Sequence, residues 1–227
     1  MAHVYDCSDT AQLLTGTREA RTALGRGELA VIPTDTVYGV AADAFNPAAV
    51  AKLLAAKGRG RQSPPPVLVA NLQTLSALAA SVPAPVLALV ERFWPGPLTV
   101  ILQAQPSLSW DLGDTGGTVA LRMPAHALTL ELLRETGPLA VSSANLTGQP
   151  AATNAQSARD MLGDSIAVYL EAGESSADGV SSTIVDAREV NDAGGTIRLL
   201  RVGGVSAEQI RSLLPSVTVE EGPWPKP

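Results

Sequence analysis

The chain has 227 residues, a formal charge of -6 and a pI near 4.9, with 45% hydrophobic, 17% charged and 4% aromatic residues. That balance excludes a disordered chain, and the length allows one large domain or two small ones around a core of Ala, Val, Leu and Ile. Net acidity argues against a protein whose main task is gripping nucleic acid by counterion release, and one cysteine with two histidines (Cys7, His3, His126) excludes a disulfide framework and a Cys/His zinc site.

The opening MAHVYDCSDT has neither a basic leader nor an apolar stretch behind one. A helix is expected from Asp9 or Thr10 to the Gly25/Gly27 stop, then a strand at "LAVIP" (29–33). Asn46 followed by Pro47 reads as a cap and first helical position, with Val50, Leu53 and Leu54 on one face. Strands follow at "VLVAN" (67–71), "LTVILQA" (98–104), "TVALRM" (118–123), "LAVSS" (139–143), "STIVDA" (182–187) and "TIRLLRV" (196–202). Helical patterns cover about 84–93, 126–135, 154–162 and 206–214. The oily passage from Leu75 to Val90 is broken by Pro83 and Pro85 and is too short to span a bilayer, so a soluble, cytoplasmic protein with no membrane association is expected. "GESSADGVS" (173–181) reads as a mobile loop. Strand–helix alternation over the whole length implies one α/β domain with a mixed sheet.

Four segments break this rhythm. "PTDTVYGV" (33–40) follows a strand with a cluster of hydroxyls and a glycine, and "KGRGR" (57–61) ends a helix, with Gly58 as its C′ residue. "FWPGPLT" (93–99) stacks aromatics and prolines before a strand. "SSANLTG" (142–148) puts small polar side chains at the C-terminal end of an apolar strand, where open α/β sheets bind ligands. Singly, each has an ordinary structural explanation: a basic helix end complementing the dipole, an N-cap, a turn packed around a Trp, an Asx or Ser turn.

In this order the segments resemble the YrdC-like family, the threonylcarbamoyl-AMP synthases. The resemblance runs from about residue 10 to 214 through Pro33–Val40, Ala56–Arg59, Phe93–Thr99, Arg122–Pro124, Pro138–Gly148, Ser182–Asp186 and Leu199–Gly203. It implies a single YrdC-like domain over residues 1–214, a twisted mixed β-sheet with flanking helices and a concave ligand-binding surface, and an irregular tail over 215–227. The reaction it implies joins L-threonine, bicarbonate or CO2 and ATP into threonylcarbamoyl-AMP and pyrophosphate. ATP would arrive as a substrate with Mg2+, with no protein-held metal. The product would pass to a separate tRNA threonylcarbamoyl transferase complex, direct tRNA binding being weak or absent.

By the same resemblance Lys57 and Arg59 match a K-x-R pair that would hold the phosphates and the carboxylate. Ser143 and Asn145 match an S-x-N motif closing over phosphates and adenosine, and these four are the expected catalytic residues. Thr99 and Arg201 would add ATP contacts. Thr34 and Ser182 would line the threonine pocket, Arg122 would pair with the threonine carboxylate, and Tyr38 would form a wall or simply pack. No general base stands out; His126 is expected as a cap or packing residue, Cys7 as a core or surface thiol. The chain departs from the pattern where Gly60 and Arg61 interrupt the run after K-x-R, where Ala70 replaces a His for which Asn71 is a stand-in, and where Ser142 and Ser181 replace Pro and Glu. A divergent YciO-like paralogue, a carbamoylation domain of a hydrogenase-maturation protein and a non-catalytic nucleotide- or RNA-binding module are the alternatives. The second normally sits in a longer chain with zinc-finger cysteines.

Overall fold

The computed structural model describes residues 2–175 and 180–222. The chain enters on β1 (His3–Asp6) and turns into α1 (Thr10–Gly25), where the Asp9 carboxylate accepts the backbone N–H groups of Ala11 and Gln12. β2 (Ala30–Ile32) and β3 (Gly39–Asp43) are antiparallel neighbours joined by the 33–38 segment, and α2 (Pro47–Ala56) starts on the Asn46 cap with proline at its first position. β4 (Val67–Leu68), α3 (Leu72–Leu78) and α4 (Ala84–Phe93) lead to the antiparallel pair β5 (Leu98–Gln103) and β6 (Thr118–Arg122). Then come α5 (Ala127–Thr136), β7 (Leu139–Ser143), α6 (Ala155–Leu162), β8 (Val168–Glu171), the hairpin β9 (Thr183–Asn191) and β10 (Gly194–Arg201), α7 (Ala207–Leu213) and β11 (Val217–Glu221).

Among the described residues all eleven strands belong to one mixed sheet in the order β1-β8-β2-β3-β7-β4-β6-β5-β9-β10-β11. The strand that joins its two flanks is the shortest: β4 contributes two register pairs to β6 and two to β7. One core cluster lies mainly on the β5–β6–β9–β10 flank, under α4 and α7. Two others lie on the β2–β3–β7–β8 flank, under α1, α2, α5 and α6. Aliphatic side chains fill these cores, with Tyr38, Trp94 and Tyr169 as the buried aromatics.

The expected mixed α/β sheet is what forms, and the seven expected strands and the expected helices all fall on observed elements. The tail corrects the reading. Residues 217–221, expected to be irregular, pair in parallel with β10 from Gly195↔Val217 to Leu199↔Glu221, because Val217 is buried against the α7 layer while the alternate residues face water. Residues 223–227 and 176–179, the latter in the expected mobile loop, lie outside the described residues. β3, β8 and α3 were not expected. β3 reads GVAAD, poor in β-branched residues, and is recruited by burial between two neighbours rather than by propensity.

Gly203 shows how tightly one end of this sheet is packed. A Cβ there would lie 2.1 Å from the Ser181 carbonyl oxygen and 2.7 Å from the Thr183 nitrogen, both backbone atoms with nowhere to move. Gly203→Ala is therefore expected to cost about 1–3 kcal/mol, read as a lower urea midpoint and a thermal midpoint reduced by several degrees.

Candidate functional site

The site begins at the C-terminal end of α2. The Arg59 N–H donates to the Leu54 carbonyl (2.8 Å) and the Gly58 N–H to the Ala55 carbonyl (2.9 Å), while Gly58 takes φ +64°. This is the double closure that a glycine at C′ permits, and it turns the chain so that Lys57 and Arg59 leave the helix on the side of β7. Lys57 does not remain solvated. It is 1% exposed, and its Nζ donates to the Ser143 carbonyl, to the Asn145 carbonyl (2.7 Å) and to Asn145 Oδ1 (3.3 Å). The Lys57 carbonyl in turn accepts from the Thr147 N–H (3.1 Å) and Thr147 Oγ1 (2.7 Å). The helix end and the SSANLTG turn are thus joined by side chain and backbone together.

Asn145 is engaged inside that turn as well, its Nδ2 donating to the Leu146 and Gln149 carbonyls at 2.8 Å each. Arg59 lies over the junction: Nε donates to Thr147 Oγ1 (3.1 Å) and Nη1 to Ser142 Oγ (3.2 Å). Among the described residues no carboxylate pairs with it, and burial lowers its pKa from the ordinary arginine value. Burial, then the Arg59 charge, pulls the Lys57 amine down to about 7, even with three oxygen acceptors around it.

A second group centres on Arg122, at the end of β6. Its Nη2 donates to Asp35 (2.6 Å), Nη1 to Thr36 Oγ1 (2.9 Å) and Nε to the Gly96 carbonyl (3.0 Å). Asp35 also accepts the Ala125 N–H, and Thr34 Oγ1 accepts the Thr36 N–H and donates to the Val37 carbonyl (2.6 Å). The PTDTV segment is therefore a hydroxyl-lined loop anchored on Arg122. The FWPGPLT segment packs Trp94 and offers its Leu98 carbonyl to the indole N–H (2.7 Å), and its Gly96 carbonyl accepts from Arg122.

Beside it, Thr99 and Ser182 hydroxyls lie 2.9 Å apart, and Arg201 donates from Nε to the Ser182 carbonyl (2.9 Å) and from Nη2 to Ser182 Oγ (3.0 Å). Desolvation, then the Arg122 charge, lowers the Arg201 pKa, which sets the two guanidiniums in one electrostatic neighbourhood. The structure thus gathers the expected residues into two groups: Lys57, Arg59, Ser143 and Asn145 in one, and Thr34, Thr99, Arg122, Ser182 and Arg201 in the other.

Several side chains were not expected in these contacts. Asp35, Thr36, Ser142 and Thr147 orient the arginines; the T-x-T and S-S spacings were the only signals for them. Tyr38 is buried and held, donating to the Gly173 carbonyl (2.6 Å) and Glu171 (3.0 Å), as a packed aromatic. Asn71 caps α3 by accepting the Thr74 N–H (2.9 Å), so its Oδ1 already has a structural task. Burial pushes the Cys7 thiol up to about 11, with the Asp6 and Glu171 charges adding to it, which leaves little thiolate at neutral pH. His126 occupies the cap position of α5 without a side-chain cap bond. Arg61, the third cation of the KGRGR run, pairs with Asp111 and Asp114 instead of joining Arg59. Among the described residues no group of three or more His, Cys, Asp or Glu side chains is placed to hold a metal ion, and no helix is long and apolar enough to cross a membrane.

On this α/β sheet two arginines, Arg59 and Arg201, sit among hydroxyls and carbonyls without carboxylate partners among the described residues, a setting whose chemistry suits an anion. The chain belongs to the Sua5/YciO/YrdC family, whose model, described as "Telomere recombination", matches residues 22–203. A Mycobacterium tuberculosis protein assigned as a threonylcarbamoyl-AMP synthase is 50% identical over 214 residues, covering 94% of this chain and 96% of that protein. The Bacillus subtilis threonylcarbamoyl-AMP synthase is 39% identical over 206 residues, 90% of this chain and 58% of its own length. Pyrococcus abyssi Sua5, solved with L-threonine, superposes with a TM-score of 0.82 at 32% identity, covering 97% of this chain. This chain spans 62% of that longer protein.

The buried lysine gives a pH prediction. Between pH 7 and 10.5 the unfolded chain keeps the Lys57 proton that the folded chain releases, so this group favours folding more strongly as pH rises through that window. The unfolding free energy of the wild type minus that of Lys57→Met is expected to increase by about 1–2 kcal/mol from pH 7 to pH 9. A pH-independent difference in urea titrations would show that the lysine keeps its proton.

Proposed function

We propose that the chain is a threonylcarbamoyl-AMP synthase, acting on L-threonine, bicarbonate or CO2 and ATP. The observation that carries this reading is the Lys57–Arg59 helix end fastened to the Ser142–Thr147 turn: it leaves a guanidinium that, among the described residues, is held by hydroxyls alone, in a chain half identical to a relative assigned this activity. The reaction brings a carboxylate to a triphosphate, so its main difficulty is charge. The threonine amine adds to CO2 and loses a proton, giving an N-carboxylate. One of its oxygens attacks the α-phosphorus, and the bond from that phosphorus to the bridging oxygen breaks to release pyrophosphate. Arg59 offsets the charge that accumulates on the phosphoryl oxygens, in a setting where positioned donors need no reorganisation.

In this reading Lys57 acts first on the protein. Its ammonium holds the Ser143 and Asn145 carbonyls, so the S-x-N turn is already shaped when ATP arrives. Thr99 and Arg201, both bonded to Ser182, form the second anion-facing group for ATP. Thr34, Arg122 and Ser182 are assigned to threonine, with Asp35 and Thr36 fixing the Arg122 plane. The acids near the site, Asp35, Asp111 and Asp186, are each paired with an arginine, so Mg2+ would enter with the nucleotide rather than on protein carboxylates. Catalysis then rests on positioning and electrostatics without a covalent intermediate. The product would pass to a separate tRNA threonylcarbamoyl transferase in the cytoplasm.

Incubation with ATP, labelled L-threonine and bicarbonate should release pyrophosphate only when all three are present. Arg59→Ala should lower kcat/KM for ATP by about 100-fold, the loss of one charge-stabilising group, with the thermal midpoint little changed. Pyrophosphate release indifferent to threonine would point instead to a divergent paralogue.

A further inference from the structure

Arg59 lies between Gly58 and Gly60, so the backbone that aims it has the widest conformational range a chain offers. The helix-end closure restricts it on one side. On the other side stands Arg61, whose Nη1 and Nη2 donate to the two oxygens of Asp111 at 2.8 and 2.9 Å while Nε donates to Asp114 Oδ1 at 3.2 Å. The contact extends to the backbone: the Asp114 N–H donates to the Arg61 carbonyl (2.8 Å) and the Gly113 N–H to Asp111 Oδ1 (3.0 Å). Gly113 adopts φ +103°, and a Cβ there would lie 2.6 Å from the Arg61 carbonyl oxygen, so the approach of the two loops requires glycine.

The three charged side chains are 60%, 42% and 57% exposed, and ion pairs in such settings contribute little to global stability. What a forked, two-carboxylate arrangement supplies there is local order. We propose that Arg61, Asp111 and Asp114 form a clamp that positions Arg59, fastening the loop after α2 to the β5–β6 connection. Arg61 serves the site through this pairing and makes no phosphate contact of its own. The inference rests on the reading of the site as an ATP cradle.

ATP binding by calorimetry and KM for ATP are measured for the wild type, Arg61→Ala, Arg61→Lys, Asp111→Asn and the Arg61→Ala/Asp111→Asn double variant. Under the clamp each single variant weakens ATP about three- to tenfold with kcat nearly unchanged. Arg61→Lys then fails like Arg61→Ala because it loses the fork, and the double variant is no worse than the weaker single one. If Asp111→Asn tightens ATP binding while Arg61→Ala weakens it and Arg61→Lys preserves it, Arg61 meets phosphate directly and the clamp is overturned. It is equally overturned if no variant changes ATP affinity. Wild-type protein that binds ATP without threonine-dependent pyrophosphate release would sink the proposed reaction, and the binding series would still judge the clamp. If ATP does not bind at all, hydrogen exchange in the 58–63 peptide decides: acceleration in Asp111→Asn supports the clamp, and unchanged exchange overturns it.

Discussion

A single buried ammonium organises the site. Lys57 sits almost wholly out of water, and a cation in that position is tolerable only when oxygen atoms replace its hydration. Those oxygens come from the far end of β7, 86 and 88 residues away in sequence. Meeting them fixes the distance between the end of α2 and the SSAN turn, and Thr147 adds two further bonds to the Lys57 carbonyl. The location of Arg59 follows from this arrangement. So does the conformation of Asn145, whose every side-chain polar atom is committed within it.

The arginines around the site divide into two kinds. Arg61, Arg122 and Arg188 face carboxylates, while among the described residues Arg59 and Arg201 are held by hydroxyls and carbonyls. A chain with a net charge of -6 can therefore present localised positive charge, because its acids pair with Arg61, Arg122 and Arg188 and leave Arg59 and Arg201 without a carboxylate partner among the described residues. The glycine-spaced basic run shows both kinds of setting within five residues: Lys57 binds the fold, Arg59 rests on the Thr147 and Ser142 hydroxyls, and Arg61 is tied down by Asp111.

Much of the scaffold was legible because its signals are local. Asn46 with Pro47, and Gly58 as a C′ residue, specify both ends of α2 within a turn of themselves. Strands such as LTVILQ and LAVSS are apolar enough to be unambiguous. β3 was not, since GVAAD becomes a strand only once two neighbours bury it, and β11 depends on β10 for its pairing. The two groups of site residues were legible as motifs, but their partners were not. Nothing near Arg122 in the sequence announces Asp35, and nothing near Lys57 announces that its amine turns inward to a strand end. Those pairings are set by sheet order, which brings distant residues together without leaving a local mark.

The brevity of β4 has a mechanical consequence. Within the sheet ladder only two residues link flanks whose cores are largely separate, with the Arg122–Asp35 and Arg61–Asp111 pairs as the side-chain ties beside them. Arg59 and the SSAN turn stand on one flank, and Thr99, Ser182 and Arg201 on the other. A ligand long enough to touch both groups would act as a further strut across that joint, coupling its own binding energy to the rigidity of the whole sheet. Occupancy of the site and cooperativity of unfolding would then become a single property of the molecule.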